Sequence, residues 1–196
     1  MRHFVFFLLL TFLFLASCGP SLSDKQILAY TEKGDSISNH AKKELSTALM
    51  AKMKKGGLPE AIDFCSKEAL PLTKKIADQH GVLIKRASHR SRNSLNLPEE
   101  NELYVIKEYQ NEINSGATLK PRVRLDPNGI PHYYTPILVE IKCLMCHGTL
   151  NKELSKSADS IIKSYYPEDL ATGFAEGDLR GIWSISFEKY SKSSLQ

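Results

Sequence analysis

Residues 131–148 read PHYYTPILVEIKCLMCHG. The first eleven alternate, with Tyr133, Thr135, Ile137, Val139 and Ile141 on one side, as expected of a strand with one buried face. Pro136 predicts an edge position or a bulge within it. The strand runs straight into Cys143-Leu144-Met145-Cys146-His147. Three chemistries use Cys-x-x-Cys followed by His: covalent haem attachment, a zinc site and a redox dithiol. The setting separates them. A thioredoxin-like dithiol opens a helix after a strand in a βαβ unit. Here the strand follows a short strand, Arg122 to Leu125, and a strong turn signal, Asp126-Pro127-Asn128-Gly129, so the pairing reads as antiparallel. A dithiol also gives His147 no role. Zinc needs four ligands, usually from two spaced pairs, and the chain has no second Cys-x-x-Cys and no His-x-x-x-His. Haem uses every residue: Cys143 and Cys146 form thioethers to the two vinyl groups, and His147 coordinates iron.

The N-terminus bears on the redox compartment. Phe4 to Leu15, FVFFLLLTFLFL, is too short for a comfortable membrane span but suits the apolar core of a secretory signal. Leu15-Ala16-Ser17-Cys18-Gly19 resembles a bacterial lipoprotein signal. That resemblance implies cleavage before Cys18 and lipid on Cys18; the alternative is an uncleaved anchor helix with an incidental cysteine. Either way the chain is exported. Gly19 in place of Asp favours the outer membrane of a two-membrane host. Residues 1–17 are thus set aside as signal and 18–23 as a tether. The charged share of 24% and apolar share of 42% are ordinary for a globular chain. The net charge of +4 is mild, and no basic stripe with interleaved aromatics supports nucleic-acid binding.

Four cysteines remain to be placed: Cys18, Cys65, Cys143 and Cys146. With Cys18 acylated and the motif pair on haem, Cys65 is left unpaired in an oxidising compartment. Ser23-Asp24-Lys25-Gln26 has the form of a capping box. A long helix is expected over 24–55, with a break near Gly34, ended by Gly56-Gly57. This N-terminal segment, 24–57, packs on the following domain or pairs with another chain as a homodimer. Pro59 opens a second helix that Gly81 stops, with Pro71 kinking or splitting it. Ala61, Cys65, Ala69, Leu72 and Ile76 share one face of that helix, so Cys65 faces inward. On the residues alone it is either a small buried side chain or an iron ligand, with Met50, Met53, His40, His89 and His132 as rivals. Strands are expected at Val82–Ala87 and Gly181–Glu188, the latter with Trp183, Ile185 and Phe187 on one side, and helices at Glu102–Ile113 and from Leu154 to before Pro167. The fold class is α+β: N-terminal helices, then an antiparallel sheet with flanking helices.

Four segments carry a family likeness. They are Ala61-Ile62-Asp63-Phe64-Cys65, Arg86-Ala87-Ser88 with Arg92-Asn93, Asn96 and Pro98, the motif Cys143 to Gly148, and Tyr166-Pro167 through Asp169, Ala171 and Gly173 to Glu176-Gly177-Asp178-Leu179-Arg180-Gly181. In this order they resemble the PAS-like c-type haem domain long catalogued as a domain of unknown function. The likeness covers most of residues 58–187, within a domain bounded at 58–190. Ser94 stands where that family often has Pro, and Asn101 where it often has Trp, departures that touch loop packing and not the iron ligands. The resemblance implies a PAS-like fold, one covalent haem c, and axial iron ligation by His147 and Cys65. Arg86 and Arg92 are candidate propionate contacts, since arginine pairs bidentately with carboxylates; the alternative is a solvated basic loop. The reading is a lipid-anchored monohaem c-type cytochrome for one-electron transfer or redox sensing, with a separate redox or signalling protein as partner. The alternative is a haem-based module that binds a gas or redox signal. Two protein ligands leave no open iron position for a peroxidase.

Overall fold

The computed structural model describes residues 21–188; the expected signal segment, Cys18 and the last residues of the 58–190 domain lie outside them. Ser23 starts helix α1 (Asp24–Lys67): its hydroxyl accepts the Gln26 N–H, and the Gln26 side chain accepts the Ser23 N–H, so two orphan donors of the first turn are satisfied. The helix is continuous through Gly34 but breaks at Gly56 and Gly57, whose backbone is non-helical. Gly57 has φ +68°, a conformation that costs glycine little. Pro59 restarts the helix beyond the break, and α2 (Ala69–His80) follows. The expected split falls at Glu68, before Pro71, because Pro71 sits in the first turn of α2, where no N–H is required. Gly81 ends α2 in the left-handed conformation.

Four strands, β1 (Leu83–Ala87), β2 (Arg122–Leu125), β3 (Pro131–Leu138) and β4 (Leu179–Ser186), form one antiparallel sheet in the order β1-β4-β3-β2. Side chains alternate between its faces. Tyr133, Trp183 and Ile185 pack with Ile37, Ala41 and Leu45 of α1 and Ile76 of α2. Tyr134 and Ile182 pack on the other face with Val105, Ile106 and Tyr109 of α3 (Glu100–Asn114). The burial of α1 on the sheet is intramolecular. Pro136 lies beyond the end of β2, where one side of β3 has no partner, and so removes no ladder bond there.

β3 ends three residues earlier than its alternation predicts. Ile137 pairs with Gly181 but Leu138 pairs with Leu179, so Arg180 is an extra residue in β4. A bulge of this kind re-aims a side chain and bends its strand. The chain then leaves the sheet as a 3-10 turn, Ile141–Cys143, continuing into α4 (Leu144–His147). Helix α5 (Lys156–Tyr165) follows, capped by Ser155.

Gly34 is buried, and a Cβ there would overlap the ring of Tyr133. Tyr133 is itself fully buried and donates its hydroxyl hydrogen to Asp35. The absent side chain thus sets how closely α1 approaches β3. Gly34→Ala is expected to lower stability by about 1–3 kcal/mol, read as a lower thermal unfolding midpoint, although alanine is the better helix former.

Candidate functional site

Three segments distant in sequence converge below the β3–β4 bulge. The C-terminal part of α1 carries Cys65, anchored by Ala61, Ile62 and Phe64, which are buried. α5 and its exit clasp this turn: the Tyr165 hydroxyl donates to Asp63 Oδ1 at 2.7 Å, and the Tyr166 hydroxyl to the Cys65 carbonyl at 3.3 Å. β1 carries Arg86, and the loop after it carries Arg90 and Arg92. The motif helix carries Cys143, Cys146 and His147.

His147 is held on two sides. Its carbonyl accepts the Phe174 N–H at 2.9 Å, and Gly148 accepts the Gly173 N–H at 2.8 Å. Its Nδ1 lies 2.7 Å from the carbonyl oxygen of Ala171. A carbonyl only accepts, so Nδ1 carries the hydrogen and Nε2 keeps its lone pair for a metal. The Phe174 ring meets the imidazole edge-on at 6.3 Å. Burial, then the positive charge of Arg180 and Arg92, holds the ring well below its ordinary pKa. The neutral form is the one that ligates.

Cys65 and His147 line one cavity of about 230 Å³. A second, of about 290 Å³, lies between α1 and the sheet and shares Cys65, Arg86 and Ile137 with the first. Cys65 is exposed by surface area, but that surface is the wall of these concavities. Enclosure pushes its thiol pKa up, while Arg86 and then Arg92 pull it down. All three cysteines of the described residues are free. Cys143 packs beside Val139, Ala171 and Phe174, and Cys146 beside Ile62, Leu154 and Ile162.

The cavity is cationic. Arg86, Arg92 and Arg180 all line it. Arg180, aimed by the bulge, donates to Ser88 Oγ at 2.8 Å and to the Arg90 carbonyl at 3.1 Å. Burial, then Arg92 and Arg86, pushes its pKa down to about 10. Arg86 lies 5.9 Å from the Trp183 ring centroid, and its buried Nε has no hydrogen-bond partner among the described residues. Arg92 is engaged with protein: Nη2 donates to the Cys146 carbonyl at 2.6 Å and lies 3.0 Å from Asp169 Oδ2. Arg90 donates to the Thr172 carbonyl and stacks 3.9 Å from the Phe174 ring centroid. Both candidate propionate contacts keep a buried Nε without a hydrogen-bond partner among the described residues, but Arg92 already spends Nη2 on the motif backbone and Asp169.

Other candidate ligands lie elsewhere. His40 Nδ1 sits 2.9 Å from His80 Nε2, Met50 and His89 are exposed, and His132 lies 3.6 Å from Asp126 and stacks on Tyr134. Among the described residues no group of three or more His, Cys, Asp or Glu gathers as a metal cage. One thiol and one imidazole on a shared cavity can supply two axial donors to a metal whose remaining ligands come from a macrocycle. The Ala171 carbonyl and the bulge at Arg180 are site features that side-chain chemistry in the sequence does not announce; only the family likeness drew attention to the 166–181 segment that holds them.

A family model described as Tll0287-like matches residues 23–188. Among solved structures, the chain is similar to the crystal structure of the cyanobacterial heme-protein Tll0287, at 24% identity and a TM-score of 0.55, over 79% of this chain and 93% of that one. At this identity the likeness is one of fold. No curated protein matches.

A buried guanidinium donor with no acceptor costs of order 1–3 kcal/mol. Arg86→Met is therefore expected to raise the thermal unfolding midpoint of the haem-free protein. An unchanged or lower midpoint would show that Arg86 is already satisfied without an anion.

Proposed function

The chain belongs to the Tll0287-like family and has its PAS-like α+β fold, and on that premise we propose that it is a haem-binding module whose state responds to redox change or to a small gas. The observation that carries this reading is that Cys65 and His147 line one cavity. The name of the structural relative adds to it, since that protein is a heme-protein. The residues fit one covalent haem c. Cys143 and Cys146 would carry the thioethers, His147 and Cys65 the axial positions, and Arg86 a propionate.

Haem supplies a one-electron iron couple and, where an axial position opens, a place for a diatomic gas. The chain does the rest. Ala171 holds the Nδ1 hydrogen of His147 and leaves Nε2 aimed by the backbone bonds to Phe174 and Gly173. Cys65 would supply an anionic sulfur donor, a type that favours ferric over ferrous iron. Cys65 also lines the cavity on the α1 side, which could admit a small ligand beside it. Arg86 stands on both cavities and can hydrogen-bond whichever anion is there.

A second reading, one-electron transfer with a separate redox protein, draws on the exposed apolar side chains Ile141, Met145 and Leu150 around the motif. Exposed apolar side chains close in sequence to the attachment motif would suit docking. In both readings the apolar segment Phe4–Leu15 followed by Cys18 supports export and a lipid tether. Labelled fatty acid should enter the wild type and not Cys18→Ala.

Expression with a haem-attachment system tests the proposal. Haem is expected to stay bound after denaturation, and to be lost from the Cys143→Ala, Cys146→Ala double variant. The ferric protein should be low-spin by EPR with thiolate character, and Cys65→Ala should change its spin state or ligand set. An unchanged Cys65→Ala spectrum would remove Cys65 as ligand. A CO or NO adduct forming readily on the ferrous wild type supports signal binding. Fast, reversible reduction without an adduct supports electron transfer.

A further inference from the structure

The Ala171 carbonyl receives two donors. His147 Nδ1 lies at 2.7 Å and Arg92 Nη2 at 3.2 Å. The same Nη2 donates to the Cys146 carbonyl at 2.6 Å. Asp169 closes the arrangement: its Oδ1 accepts the N–H of Ala171 at 2.8 Å, and its Oδ2 lies 3.0 Å from Arg92 Nη2. The group is shielded, with the Asp169 side chain 1% and the Arg92 side chain 12% exposed. One carboxylate therefore holds both backbone polar groups of Ala171, the N–H directly and the carbonyl through Arg92.

We propose that Arg92 and Asp169 are a positioning pair that sets how strongly Ala171 accepts the His147 hydrogen, and thereby how strongly His147 donates to the iron. The proposal rests on the haem reading above. A ligating imidazole becomes a stronger donor as its other N–H is pulled harder by an acceptor. A guanidinium on the same carbonyl oxygen draws on the electron density that His147 would use. Arg92 thus weakens the pull on Nδ1 and offsets part of the electron donation from Cys65. Asp169 limits the effect by drawing the guanidinium toward itself. All three contacts are made by Nη2, and a lysine keeps the charge but ends about one bond short of that atom, so it loses the contact to the Ala171 carbonyl. The arrangement also explains why Arg92 is turned toward the motif backbone.

The alternative is that Arg92 acts only as one more cation near the iron. Lysine separates the two. The wild type, Arg92→Gln, Arg92→Lys and Asp169→Asn are expressed with haem-attachment machinery, and the reduction potential and ferric EPR g values are measured. Both arginine variants are expected to shift the reduction equilibrium toward ferric, by up to about tenfold, about 59 mV for one electron, and to move the g values together. Asp169→Asn, close in size, shifts both in the opposite sense. A wild-type potential and wild-type g values in Arg92→Lys overturn the proposal, since charge alone then suffices. If the arginine variants do not accumulate, the g values of Asp169→Asn decide, and unmoved values overturn it. A wild type without bound haem is a failure of the haem reading; a haem-loaded wild type with unresponsive variants is a failure of this one.

Discussion

The hydrogen bond from His147 Nδ1 to the Ala171 carbonyl organises the site. It ties the motif helix to the segment leading into β4, and it decides which ring nitrogen is free. Almost every other feature of the site serves its geometry. Asp169 holds the Ala171 N–H, Phe174 and Gly173 grip the backbone of His147 and Gly148, and the bulge in β4 lets the chain leave the sheet where this segment must pass. A side chain could have served as acceptor, but a backbone carbonyl inside a buried turn has little freedom. It costs little entropy to keep in place.

Charge in the cavity is one-sided. Arg86, Arg92 and Arg180 share one cavity, and burial opposes the charge on two of them. Asp169 offsets one. An isolated folded chain gains nothing from crowding cations in a poorly solvated space. An anionic group entering the cavity would relieve that repulsion, so part of the stability forgone by the free fold returns on binding. The surface pairs on α3 are different: Arg122 and Arg124 meet Glu108 and Glu112 across β2 and fasten a sheet edge to its covering helix.

Much of the fold was legible in local pattern. The capping box at Ser23, the break at Gly56-Gly57, the stop at Gly81 and the strand Arg122–Leu125 lie where turn chemistry and periodicity put them. Two features were misread for one reason. Gly34 looked like a helix break and is a contact point for Tyr133, while β3 looked longer than it is because alternation continues past Leu138. Glycine and alternation report what the local backbone can do. Neither reports which residue of another segment will arrive beside it.

The sequence by itself supplied the candidate donors: a Cys-x-x-Cys-His motif after an antiparallel strand, an unpaired Cys65, and an arginine-rich loop. Their identities are chemical, and chemistry is carried by residue type and spacing. Only the tertiary structure decided their relations. It brought Cys65 and His147 to one cavity across a long stretch of chain, chose the tautomer of His147, turned Arg92 toward the motif backbone, and left Arg86 with an unused donor on the cavity. These depend on backbone carbonyls and on a one-residue bulge, which any residue type can supply and which therefore leave little mark in sequence.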